Sequence, residues 1–217
     1  ELTAATPALI DVPSANLLIN GDFNNPATVD PATAWVHQAI GNGWANHENN
    51  VGVTYDGSYY LVAGANGDGG GKFQQTVTAS ANVNYGLSVL SGADAWWLPT
   101  GRMTMVFLNG SGGQVGQATR RTVNPAEYGY AYDSPHPWQS YSLNAIAPVG
   151  TTQIRVEFSS NESLVPGNTG TATGSVWFEN AVLSELVSMP ALAHATTLPF
   201  TVHAFVPPTS QTNHMEG

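Results

Sequence analysis

Strict two-residue alternation of apolar and polar side chains recurs along this chain, and it leaves few folds open. In residues 153–159, "QIRVEFS", Ile154, Val156 and Phe158 fall on one side while Gln153, Arg155 and Glu157 fall on the other. That is a strand with one buried and one wet face. Residues 102–108, "RMTMVFL", put Met103, Met105 and Phe107 together, and residues 85–89, "YGLSV", do the same with Tyr85, Leu87 and Val89. Further strands are expected near 16–20, 59–63, 73–78, 139–144 and 175–183. Helical periodicity is missing, because Gly or Pro interrupts every window of helical spacing. Between the apolar runs lie "ANGDGGGK" at 65–72, "LNGSGGQ" at 108–114 and "PGNTGTATG" at 166–174, clusters that supply tight reversals. The glycine run at 67–71 lacks the spacing of a phosphate-binding loop, and no helical pattern follows it. Short strands separated by turn chemistry predict an all-β fold, a jelly-roll β-sandwich of two antiparallel sheets with an extended N-terminal arm and a C-terminal tail.

Charge and cysteine content remove whole function classes. The net charge is −10 with only five basic residues, so the basic stripe that a nucleic acid requires is not expected. Strongly polyanionic glycans are disfavoured on the same ground, and a neutral glycan is the expected ligand. No cysteine is present, which excludes disulfides, thiolate metal sites and cysteine nucleophiles. No apolar run is long enough for a membrane span. Charged residues make up 9% of the chain and lysine occurs once, while Gly, Asn, Thr and Ser abound. Such an uncharged polar surface, with a start at Glu1 that lacks Met or a leader-like segment, points to an exported, extracellular protein whose leader has been removed.

Taken in order, "NLLINGDFNN" at 16–25, Trp44, "DGSYYLVAGANGDGGGKFQQTV" at 56–77, "NYGLSVLSGA" at 84–93, "WQSYSLNAIAPVGTTQIRVEF" at 138–158 and "SVWFENAVL" at 175–183 form a recognisable series. It resembles the carbohydrate-binding modules of families 4, 16 and 22, jelly rolls of the galactose-binding-like group. The resemblance covers residues 12–187, leaving 1–11 as an arm and 188–217 as a tail rich in Pro, Ala and Thr. It implies a structural calcium held by acids of the opening segment, a G-S turn and the last strand. Carried over by position, the ligands are Asn24, Asp56, the carbonyl of Tyr59 and Glu179. Oxygen donors including carboxylates suit calcium. Asn24 departs from the pattern, which has Glu there and hence one more charge; Asp22 is the nearby carboxylate able to replace it.

The resemblance also implies glycan recognition by aromatic rings and polar groups, since sugar C–H faces stack on rings while hydroxyls need hydrogen-bond partners. Aromatics concentrate in "ADAWWLP" at 93–99 and "PAEYGYAYDSPHPW" at 125–138. Trp96, Trp97, Tyr128, Tyr130 and Tyr132, with Arg102, are the candidate ligand-binding residues. The same tyrosines would equally suit a subunit interface. Arg102, Thr104, Gln153, Arg155 and Glu157 form a second candidate groove on a wet sheet face. Trp44, Trp138 and Trp177 read as core packing.

Catalysis is not expected. No HExxH pair, G-x-S-x-G elbow or paired-carboxylate motif is present, although Glu157 and Glu179 on separate strands leave a two-carboxylate cleft formally open. A different class of function is a structural subunit of a filament, sheath or surface layer. "FTVHAFV" at 200–206 alternates like a strand, and either residues 188–217 or residues 1–13 could add a strand to a neighbour's sheet.

Overall fold

A computed structural model of the chain describes residues 9–24, 34–49, 54–56, 59–66, 69–93, 101–123, 136–160 and 173–190. The alternating runs are strands that bury their apolar sides. Eleven occur among these residues: β1 (Leu9–Pro13), β2 (Val36–Ile40), β3 (Trp44–Glu48), β4 (Tyr60–Asn66), β5 (Gly70–Thr78), β6 (Asn84–Ala93), β7 (Gly101–Leu108), β8 (Gln114–Thr122), β9 (His136–Ile146), β10 (Gln153–Ser160) and β11 (Thr173–Pro190). One sheet has the order β3-β4-β11-β6-β9, with β1 continuing along β11; the other has the order β2-β5-β10-β7-β8. Every pairing is antiparallel. No helix among the described residues is long and apolar enough to cross a membrane.

The sheets meet through their apolar faces. Phe158 of β10 stacks on Phe178 of β11, ring centroids 5.2 Å apart, and Trp35 lies 5.6 Å from Phe158. Met103, Met105 and Phe107 of β7, Ile154 and Val156 of β10, and Leu87 and Val89 of β6 complete this layer, all buried. Because successive strand residues point to opposite faces, burying Phe158 and Phe178 sends Glu157 out of one side of the sandwich and Trp177 out of the other.

The stretch 16–24, expected to open with a strand, is instead an irregular plug between the sheets. Asn20 and Phe23 have φ of 50° and 58°, which a strand cannot accommodate and Asn tolerates better than most residues. Leu18 and Phe23 are buried in the core, and polar groups of the plug find partners on both sheets. The Asn16 side chain donates to Ala181 O at 3.0 Å and accepts from Leu183 N–H at 3.0 Å. Ala181 N–H donates to Gly21 O at 2.7 Å. On the other side, Gln75 of β5 accepts from Ile19 N–H at 2.8 Å and donates to Ile19 O at 2.9 Å. Asn180 and Ala181 form a bulge in β11, where Glu179 pairs Leu90 and Val182 pairs Ser88; this turns the Ala181 peptide toward the plug. Gly21 is required there, since a Cβ would lie 2.3 Å from Ala181 O.

β1 pairs with the chain's own β11, from Leu9 opposite Pro190 to Pro13 opposite Leu186. The part of the N-terminal segment expected as a donor to a neighbouring subunit therefore has its partner in its own sheet. Residues 191–217, with the alternating run 200–206, lie outside the described residues. The sheet itself takes in residues on both sides of the 12–187 span that the resemblance covers.

Truncating Phe158 removes the contact between the sheets. Phe158→Ala should cost about 3–5 kcal/mol in urea-monitored unfolding, whereas Thr76→Ala on the exposed outer face of β5 should stay within about 0.5 kcal/mol.

Candidate functional site

The outer face of the five-stranded sheet carries polar side chains in register. One cross-strand row reads Gln38, Lys72, Ser159, Arg102 and Arg121, from β2 to β8. The next reads Val36, Gln74, Glu157, Thr104 and Thr119, and a third adds Thr76, Arg155, Val106 and Gln117. Ser159, Thr104 and Val106 are buried although they point away from the core, while Lys72, Gln74, Arg102, Arg155 and Glu157 are half-buried around them. The face is thus a recessed floor with polar walls. Arg155 Nε donates to Glu157 Oε1 at 2.6 Å, Lys72 Nζ lies 3.9 Å from the same oxygen, and the Thr104 and Thr119 hydroxyls meet at 3.2 Å. These contacts hold the donors and acceptors in fixed positions.

The outer face of the six-stranded sheet is aromatic. Trp177, between inward Val176 and Phe178, projects outward and lies 5.9 Å from Trp138 and 6.4 Å from Tyr60; Tyr60 and Trp138 are 6.1 Å apart, edge to face. Trp44 lies across Gly64, its cross-strand partner, where a Cβ would fall 1.8 Å from the indole. Trp44, Trp138 and Trp177 are half-buried and stand apart from the core cluster. The reading of these three tryptophans as core residues is therefore corrected; for Trp44 and Trp177 the cause is alternation, since Ala45, Val176 and Phe178 take the inner face. Tyr60, 2% exposed, has its pKa pushed up to about 12, chiefly by burial and then by the nearby Glu48 carboxylate, which also accepts its hydroxyl hydrogen bond.

The residues expected to hold calcium lie around the start of β4. Glu179 is 0% exposed and accepts from Tyr55 N–H at 3.1 Å. Asn24 Oδ1 accepts from Tyr59 N–H at 3.1 Å, and Asp22 Oδ1 accepts from Asn24 N–H at 3.4 Å. The β11–β4 register pairs Phe178 with Leu61, which places Glu179 beside the Tyr59–Tyr60 entry to β4. Thr54 Oγ1, next to Tyr55, is buried with no hydrogen-bond partner. His47 packs behind the corner, its Nε2 2.8 Å from Phe23 O and its ring stacked 4.8 Å from Tyr59. Carboxylates from Asp56 and Glu179, an amide oxygen from Asn24, the Tyr59 carbonyl and an unused hydroxyl make an all-oxygen donor set, which fits a hard cation. Among the described residues no three His, Cys, Asp or Glu side chains converge, so any such site depends on its amide and carbonyl donors.

Trp96, Trp97, Tyr128, Tyr130 and Tyr132 lie outside the described residues. The strand ends that bound their segments, Ala93, Gly101, Thr122 and His136, sit at the end of the sandwich that carries the Lys72–Arg121 row. Arg102, Thr104, Arg155 and Glu157 of the second candidate groove do share one face, with Gln153 at its far margin. Lys72, Gln74 and Arg121 join them without having been singled out in the sequence; for Lys72 and Gln74 the alternation of 72–78 was the available signal. Glu157 and Glu179 project from opposite faces of the sandwich and cannot flank one scissile bond.

No protein-family model and no curated protein sequence matches the chain. Solved structures do share its fold. A family 61 carbohydrate-binding module in complex with β-1,4-galactotriose superposes with a TM-score of 0.53 at 14% identity, covering 79% of this chain and 99% of that one. The enzymatically active domain of tailspike protein 4 from bacteriophage CBA120 gives 0.55 at 16% identity, over 79% of this chain and 21% of that one. An arabinose-bound family 51 α-L-arabinofuranosidase gives 0.54 at 14% identity, over 80% of this chain and 27% of that one. The chain therefore spans about a quarter or less of the two enzymes and nearly the whole of the module.

The Tyr60 hydroxyl makes stability pH-dependent on the alkaline side. Its folded pKa of about 12 exceeds the unfolded value of 10.0, so the contribution is complete below pH 10 and is lost as pH rises toward 12. Wild type should lose about 2 kcal/mol more than Tyr60→Phe between pH 10 and 12, measured by urea titration at each pH.

Proposed function

We propose that this chain is a non-catalytic glycan-binding module and that the outer face of its five-stranded sheet holds the sugar. The observation that carries the reading is the recessed floor of Ser159, Thr104 and Val106 walled by Lys72, Gln74, Arg102, Arg155 and Glu157. Sugar recognition needs donors and acceptors at fixed positions beside a partly desolvated surface, and rigid strands supply both at little ordering cost. The fold shared with the galactotriose-bound module supports the same reading. The separation of Glu157 from Glu179 supports the non-catalytic part, and the polar, weakly charged composition supports an extracellular setting.

The Tyr60–Trp138–Trp177 cluster favours a second reading, in which sugar rings stack on the six-stranded sheet. Affinity electrophoresis of the intact chain in gels containing β-1,4-galactan, xylan, mannan or β-glucan separates the two. At least one polymer should retard the chain, and Gln74→Ala should weaken retardation about tenfold, equivalent to about 1.4 kcal/mol. Retardation lost in Trp138→Ala and kept in Gln74→Ala would transfer the site to the aromatic face; no retardation by any polymer would count against the module.

The corner of Asn24, Asp56, Tyr59 and Glu179 we assign to a structural calcium that ties the plug to β4 and β11. A cation there would stabilise the folded chain by mass action. Chelation should lower the melting temperature by about 5 °C or more, consistent with loss of roughly 2 kcal/mol in a domain of this size. Glu179→Gln should abolish that response to chelator, and an unchanged melting temperature in wild type would remove calcium from the account.

A further inference from the structure

Asparagine followed by glycine is the pair in a chain most open to loss of the side-chain amide, because the next backbone nitrogen reaches the asparagine Cγ when no Cβ stands in its way. Four such steps occur here: Asn20–Gly21, Asn42–Gly43, Asn66–Gly67 and Asn109–Gly110. Gly67 lies outside the described residues. Two of the other three are closed by packing. Gly21 is wedged in the plug, where a Cβ would lie 2.3 Å from Ala181 O. Gly43 donates its N–H to Ile40 O at 3.0 Å and sits against Gly70, where a Cβ would lie 2.2 Å from the Gly70 carbonyl oxygen. Neither backbone has room to shift toward its asparagine.

Asn109–Gly110 is built differently. It opens the exposed turn between β7 and β8, at the opposite end of those strands from Arg102 and Arg121. Asn109 Oδ1 accepts from Ser111 N–H at 3.1 Å, from the Ser111 hydroxyl at 2.8 Å and from Gly113 N–H at 2.8 Å. Three donors on one amide oxygen draw electrons from Cγ and stabilise negative charge that forms there, as an oxyanion hole does. The donors are held in place, since Asn109 N–H bonds Gly113 O at 2.8 Å and Gly112 N–H bonds Asn109 O at 2.9 Å. Asn109 Nδ2 and the Gly110 N–H make no hydrogen bond among the described residues. Gly110 is exposed, and a Cβ on it would meet only Thr152 Oγ1, at 4.0 Å.

We infer that Asn109–Gly110 is a self-modification site, at which the folded turn promotes conversion of the Asn109 amide to an acid. Gly110 N gives its proton to hydroxide and bonds to Asn109 Cγ; the Cγ–Nδ2 bond breaks, and Nδ2 leaves as ammonia with a proton taken from water. An imide ring results. Water then adds to one of the two ring carbonyls and opens the ring, leaving at position 109 either aspartate or isoaspartate, in which the main chain runs through Cγ. Both products carry a new carboxylate. The isoaspartate form also lengthens the main chain by a methylene across the turn that sets the Leu108–Gln114 register.

Peptide mapping by mass spectrometry, after incubation of the intact chain at mildly alkaline pH, tests this. The peptide holding Asn109 should gain the mass of amide-to-acid exchange about tenfold or more faster than the peptide holding Asn42. In concentrated urea, where both turns are unfolded, the two rates should converge. Ser111→Ala removes one donor to Oδ1 and should slow the Asn109 reaction about fivefold. Gly110→Ala, for which the turn has room, should slow it at least as much, with the melting temperature unchanged. Conversion at Asn109 no faster than at Asn42 in the folded chain overturns the inference, as does a rate ratio that urea leaves intact. Faster conversion in Ser111→Ala overturns it as well, because the bonds to Oδ1 would then restrain the amide rather than activate it.

Discussion

Phe158 resting on Phe178 fixes what each outer face of this sandwich displays. Once those two rings are buried against each other, alternation leaves no freedom: β10 must present Arg155 and Glu157 to one side, and β11 must present Trp177 and Glu179 to the other. A one-residue slip in β10 would bury Glu157 and expose the Phe158 ring. The polar floor, the aromatic cluster and the corner near Glu179 are all consequences of that register.

The second constraint is the plug formed by residues 16–24. An irregular segment between two sheets carries backbone groups that strand pairing cannot satisfy, and each one left unpaired would cost about 1–3 kcal/mol. The chain meets this with amide side chains. Asn16 bonds both sides of the β11 bulge, and Gln75 bonds both polar groups of the Ile19 peptide. Trp35 Nε1–H donates to Asn20 O at 3.1 Å. The plug thereby ties β5 of one sheet to β11 of the other and delivers Asn24 to the start of β4, where Glu179 is buried.

The strands that alternate strongly, β6, β7 and β10, were legible in the sequence because burial on one face is written directly as period two. β2 and β8 were not: each is an edge strand, and "VHQAI" and "QVGQATRRT" lack an uninterrupted apolar face. "NLLIN" misled in the opposite direction, since three adjacent apolar residues suggest a strand while the flanking Asn16 and Asn20 direct a turn and a set of side-chain bonds. Trp177 was legible in principle. Its neighbours Val176 and Phe178 are both inward, so the alternation that identified the strand also places the indole outside. The gathering of Lys72, Arg102, Arg121 and Arg155 on one face was not legible, because they lie on four strands and only the pairing registers bring them together.

The central claim is that the polar face of the five-stranded sheet, and not the aromatic face of the other sheet, is where a glycan is held. Amide chemical-shift mapping during titration with a retarding polymer tests this most directly. The account predicts shifts confined to β5, β10, β7 and β8, largest near Lys72, Gln74, Arg102 and Glu157. Shifts centred on Tyr60, Trp138 and Trp177 would contradict it.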